Sequence, residues 1–86
     1  AAPNPMRTGT ALAVRFAAPG GEAVAVEVLD LAGRRVASLY TGGAEGGREA
    51  RWSGLDARGG ASPAGIYWVR IASPRETRSV RVALLR

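Results

Sequence analysis

At 86 residues the chain is long enough for one domain and too short for two. Hydrophobic residues make up 47% of it, enough for a core without covalent staples, and its formal charge of +5 comes from arginines set against seven acids. The absence of histidine, cysteine and lysine excludes imidazole acid–base chemistry, thiolate nucleophiles, Cys/His zinc sites and disulfides. No apolar run approaches the ~18 residues that a membrane helix needs.

The chain begins at Ala1, its one methionine is Met6, and no secretory leader pattern is visible, so the sequence reads as a piece of a longer precursor. Glycine and proline then punctuate it at short intervals, with alternating runs between them, which is the pattern of many short strands. In the first run Leu12, Val14 and Phe16 fall two apart and share one face of a strand, ended by Pro19, Gly20 and Gly21. In the second, Val24, Val26 and Val28 alternate with Ala25 and Glu27, and their β-branched side chains suit a pleated surface.

Asp30, Leu31, Ala32 and Gly33 predict a type I turn with a glycine bulge, because Asp bonds the backbone two residues on and Gly accepts positive φ. The return strand spans 35–40, with Val36 and Leu39 as its apolar anchors, and 41–47 with four glycines is expected to be a loop. A short strand over 48–52 places Ala50 and Trp52 on one face, and 53–64 is irregular, with Gly54, Gly59, Gly60 and Pro63. Tyr67, Val69 and Ile71 alternate with Ile66, Trp68 and Arg70, and a closing strand turns Val80, Val82 and Leu84 inward. Six or seven such strands predict an all-β fold, an immunoglobulin-like antiparallel β-sandwich with no helix. The alternation alone leaves strand order open, since a partly open barrel shares it.

These residues also carry a resemblance. Pro3, Asn4 and Pro5 lead into the first strand; Asp30, Gly33 and Arg34 form an Asp-x-x-Gly-Arg hairpin. Trp52, Gly54, Asp56 and Gly59 form a Trp-x-Gly-x-Asp-x-x-Gly loop, Gly65 and Tyr67 open the penultimate strand, and 81–86 is basic and then apolar. In this order and spacing, over nearly the whole chain, they resemble the C-terminal sorting domains of the bacterial type IX secretion system. They are equally similar to the related immunoglobulin-like domain of the flagellar hook-capping protein. Two departures are Arg78 and Arg81 where a lysine is common, and a last hairpin over 73–79 without the usual glycine. The resemblance implies that 1–86 is a single domain, the C-terminal module of a longer exported protein, secreted or held at the bacterial cell surface after passing through the periplasm. Its closing strand, with Val80, Arg81, Val82, Leu84 and Arg86, would be what the secretion machinery recognises.

The remaining candidates are weighed on chemistry. Asp56 in its glycine-rich loop is a calcium ligand on one reading, but calcium takes six to eight oxygens and this loop has no second acid, so turn capping is preferred. Asp30, Arg34 and Arg35 are explained by the hairpin. Trp68 alternates with the inward Tyr67 and Val69, which puts it on the outer face, where an aromatic stacks on a sugar or a partner. Serine here has no base to activate it, and the acids are scattered over turns and polar faces, so no enzyme is expected and no cofactor or metal. The arginines are spread along the chain and aromatics total 6%, which argues against nucleic acid. Arg70, Arg78 and Arg81 are expected to cluster across the last two strands, facing anionic lipopolysaccharide or the parent protein. The leading expectation is a non-catalytic sorting or surface-attachment module. Behind it stand an assembly scaffold that self-associates through edge strands and a carbohydrate-binding accessory module using Trp68.

Overall fold

The alternation of apolar residues becomes seven strands in two sheets in the computed structural model, which describes Met6–Arg7 and residues 11–85. Pro3, Asn4, Pro5 and Arg86, singled out above, lie outside the described residues. The strands are β1 (Met6–Arg7), β2 (Leu12–Phe16), β3 (Ala23–Leu29), β4 (Arg35–Gly43), β5 (Arg48–Trp52), β6 (Gly65–Ala72) and β7 (Thr77–Leu85). One sheet has the order β1-β7-β6-β3-β4, and β2 pairs with β5 in the other. This is the all-β sandwich that the sequence predicts. Pairing is antiparallel throughout, except that β1 runs parallel to β7, with Met6 opposite Leu84 and Arg7 opposite Leu85. The only helical turn among the described residues is a 3-10 turn at Pro19–Gly21.

The core lies between the sheets. Val24, Val26 and Val28 of β3 are buried against Tyr67, Val69 and Ile71 of β6 and Val82 and Leu84 of β7, with Leu12, Val14, Phe16, Ala50 and Trp52 facing them from the second sheet. Period-two burial along β2, β3 and β6 is what a sheet with one covered face requires.

Three expectations need correction. β4 continues through Gly43, so the loop is only the tight turn that follows, closed by the Gly47 N–H donating to the Ala44 carbonyl at 3.0 Å. Within β4 the buried residue is Ala37, while Val36 and Leu39 are half-buried. Register irregularities between Val26 and Glu27 and between Val28 and Leu29 break the strict alternation of β4. Finally, β7 begins at Thr77, and Val80 is 40% exposed although it sits opposite the fully buried Val69. Val80 is on the core-facing side, but the two-stranded sheet is too narrow to cover it.

One device shapes both motif loops. Asp30 Oδ1 accepts the backbone N–H groups of Ala32 and Arg34, each at 2.9 Å, while the Gly33 N–H donates to the Asp30 carbonyl and the Asp30 N–H to that of Arg34. Asp56 repeats it: Oδ1 accepts from Arg58 and Gly60 at 2.9 Å, the Gly59 N–H donates to the Asp56 carbonyl, and the Asp56 N–H to that of Gly60. Gly33 and Gly59 have φ of 82° and 83°, a region that costs a side-chain-bearing residue strain.

Candidate recognition surface

Trp52 and Tyr67 hold the second motif loop. Their rings meet edge to face with centroids 5.1 Å apart. The indole N–H of Trp52 donates to the Leu55 carbonyl at 2.8 Å, and the Tyr67 hydroxyl to that of Pro63 at 2.5 Å. The Ser62 N–H donates to the Gly54 carbonyl at 2.9 Å. Gly54, at φ 83°, leaves room for the Leu84 side chain, 3.3 Å from where a Cβ would stand. The Ala57 N–H then donates to the Val36 carbonyl at 3.0 Å, docking the loop on β4. The two Asp-x-x-Gly turns therefore lie side by side and line an open cleft of about 720 Å³ with Ile66 and Tyr67. Both aspartates spend Oδ1 on backbone donors, and the described residues hold no group of three side chains suited to a metal ion.

The outer face of the five-stranded sheet carries the other candidates. Trp68 stands there, half-buried, between Leu29 of β3 and Arg81 of β7. Glu27 sits between two guanidiniums, 2.6 Å from Arg70 Nη2 and 3.1 Å from Arg35 Nη1. The hydrogen bond from Arg70, and after it that from Arg35, holds its carboxyl below the ordinary value. The Asp30 carboxyl is lowered too, first by the backbone N–H of Arg34. Of the closing-strand residues, Val82 and Leu84 are core at 0% and 1% exposure, which leaves Val80, Arg81 and Leu85 readable from outside. The expected arginine cluster divides between faces. Arg81 lies opposite Trp68 and Arg70 opposite Ser79 on the outer side, whereas Arg78 lies opposite the buried Ile71, on the core-facing side.

Neither the Glu27 bridge nor the identity of the two turns as one device is among the sequence expectations. The repeated Asp-x-x-Gly spacing was the available signal for the second; nothing local signals a bond between residues 43 positions apart.

The Glu27 bridge gives a pH-dependent expectation. Because folding lowers this pKa, its contribution is complete above the ordinary carboxylate value of 4.5 and fades as pH falls from there through the folded-state value. Glu27→Gln should cost about 1 kcal/mol in urea unfolding at neutral pH, since Arg35 is mostly solvated and Arg70 only partly covered. The difference from wild type should vanish in acid. A difference that grows in acid would contradict this account.

No family model matches the chain, and no curated protein matches it. Among solved structures it is similar to PorZ, described as an essential bacterial surface component of the type-IX secretion system of Porphyromonas gingivalis. The TM-score is 0.61 at 26% identity, over 98% of this chain and 11% of that one. The chain thus spans about 11% of the length of the protein it resembles. The likeness ties the fold to a type IX secretion component without singling out the sorting-domain family. No helix among the described residues is long and apolar enough to cross a membrane, which says nothing of β-barrels.

Proposed function

We propose that this chain is a non-catalytic recognition module, the C-terminal domain of an exported bacterial protein, through which type IX secretion machinery sorts that protein or the cell surface retains it. The observation that carries the reading is likeness over 98% of the chain to one portion of a type IX surface component, joined to the ordered motif set. The residue chemistry is compatible with it: the chain has no imidazole, thiol or lysine amine, and both motif aspartates spend Oδ1 on backbone N–H groups of their own turns. The surface offered is the outer face around Trp68 and Arg81, continued by Leu85 at the end of β7 and by Leu31, 72% exposed at the hairpin tip. Its partners are the machinery or the parent protein, with anionic surface lipopolysaccharide as a ligand class suited to outward arginines.

The test is to fuse residues 1–86 to a periplasmic reporter in a type IX-competent bacterium. The reporter should reach the surface or medium. Retention in the periplasm, while a known sorting domain exports the same reporter, would sink the proposal.

A second reading has its own support. The similar protein is described as a component of the system, which fits a scaffold domain built into a surface assembly. Under that reading the fusion stays put, and the parent protein lacking this domain fails to assemble.

A further inference from the structure

The end of the sandwich marked by Phe16 departs from the pattern that builds the rest of it. Elsewhere the core-facing positions of β5 and β7 are apolar, with Ala50 and Trp52 in one and Val80, Val82 and Leu84 in the other. At this end both strands turn an arginine the same way. Arg48, in the two-stranded sheet, is cross-strand to the buried Phe16, and Arg78, in the five-stranded sheet, to the buried Ile71. By the two-residue period each therefore stands on the inner side of its own sheet. Together they line one open cleft of about 430 Å³ with Phe16 and Glu76, and Arg15, next to Phe16 in β2, lines it too.

The charge gathered there is not neutralised within the chain. All seven acidic side chains of the sequence lie among the described residues, and four are taken: Glu22 by Arg75, Glu27 by Arg35 and Arg70, Asp30 by Arg34, and Glu49 by Arg51. Glu49 is the cross-strand neighbour of Arg15, yet it bonds Arg51 at 3.0 Å. Glu76 lines the cleft, its backbone held by Ser73, and forms no ion pair with these arginines among the described residues. Three arginines against one glutamate leave two net positive charges around the cleft. Like charges gathered in this way repel one another, and a bound anion removes that cost.

We infer that the cleft binds a phosphoryl group, held between the guanidiniums of Arg48 and Arg78 with Arg15 at its rim. The choice among anions follows from the number and direction of the donors. A carboxylate carries one charge and presents one planar edge, which a single guanidinium fork satisfies. Here the arginines come from two opposed sheets, which suits a tetrahedral group with oxygens on several sides. A phosphate monoester carries about −1.5 to −2 charges near neutral pH, which matches the cleft. The volume falls within the ~300–1,000 Å³ of small-molecule sites, so the carrier of the phosphoryl group has room as well. The inference stands apart from the secretion reading, because it concerns a different face and survives if the reporter fusion is not exported.

The intact chain is titrated at low salt with inorganic phosphate and with phenyl phosphate, and the backbone amides are followed by NMR. Saturable shifts are expected at residues 15–17, 47–48 and 76–78, where sodium chloride of equal ionic strength gives none that saturate. Arg48→Gln with Arg78→Gln should weaken binding at least about ten-fold. Arg48→Lys with Arg78→Lys, which keeps the charge and removes the forks, should weaken it by a smaller factor. Both arginines are exposed, so these variants should melt with the wild type. Arg34→Gln with Arg58→Gln, an equal loss of charge beside the other cleft, should leave binding unchanged. Tighter binding of phenyl phosphate than of inorganic phosphate assigns the group to a soluble ester. Retention on phosphatidylcholine vesicles containing phosphatidic acid, lost in the glutamine variant, assigns it to a lipid headgroup, and either result supports the inference. Shifts that never saturate overturn it, and so does binding unchanged in both double variants of Arg48 and Arg78. Equal weakening by the Arg34 and Arg58 pair, or acetate bound as tightly as phosphate, overturns it too.

Discussion

Replacing Val82 by aspartate is expected to abolish the folded state, while the same change two residues earlier, Val80→Asp, leaves it intact. Both positions are on the core-facing side of β7, and the sequence treats them alike. Val82 is 0% exposed and Val80 is 40% exposed. A carboxylate at Val82 has no cation among the buried side chains around it, and an uncompensated buried charge costs about 3–5 kcal/mol. A domain of this size has a total stability near the lower end of about 5–15 kcal/mol, so the variant should lack a cooperative transition in circular dichroism or urea. Val80→Asp keeps its charge in water and should stay within about 1 kcal/mol of wild type. Equal loss in the two variants would mean that Val80 is covered and that the uneven sandwich described above is wrong.

The two tryptophans should separate just as clearly. Trp52→Ala removes a side chain that is 2% exposed, its edge contact with Tyr67 and its hydrogen bond to Leu55. Truncating a buried Trp costs about 3–5 kcal/mol. For a domain of this length that lowers the melting temperature by roughly 15 °C or more. The damage should not stop at the core: with Leu55 released, amides of the Asp56 turn should exchange faster than those of the Asp30 turn, which Trp52 does not touch. Trp68→Ala, at a half-buried outer position, should melt within a few degrees of wild type and is the substitution with which to probe recognition. If Trp52→Ala is as mild as Trp68→Ala, the loop does not depend on the indole.

Local pattern carried most of the fold into the sequence. The valine triplet of β3, the Asp30 turn and the Tyr67, Val69 and Ile71 row are all decided by period two and by the backbone needs of aspartate and glycine. What local pattern lacks is width. Nothing in residues 77–85 tells Val80 from Val82, because the difference is how far a two-stranded sheet reaches over a five-stranded one. The irregular register of β4 was hidden for a related reason: it lies in the pairing with β3, not in either strand alone. The candidate surface was legible in part. Counting assigns Trp68 and Arg81 to the outer side; Arg78, expected beside them across the last two strands, falls by the same parity on the opposite side.

The parallel pairing of β1 with β7 bears on how such a domain withstands force. Met6 lies opposite Leu84 and Arg7 opposite Leu85, so the first and last strands are neighbours running the same way. Tension applied between the chain's two ends pulls these strands lengthwise past each other, and their cross-links are strained together rather than opened one after another like a zip. Load carried through the domain along these two strands would thus meet the β1–β7 seam in shear before it reached the longer pairings within the sheet.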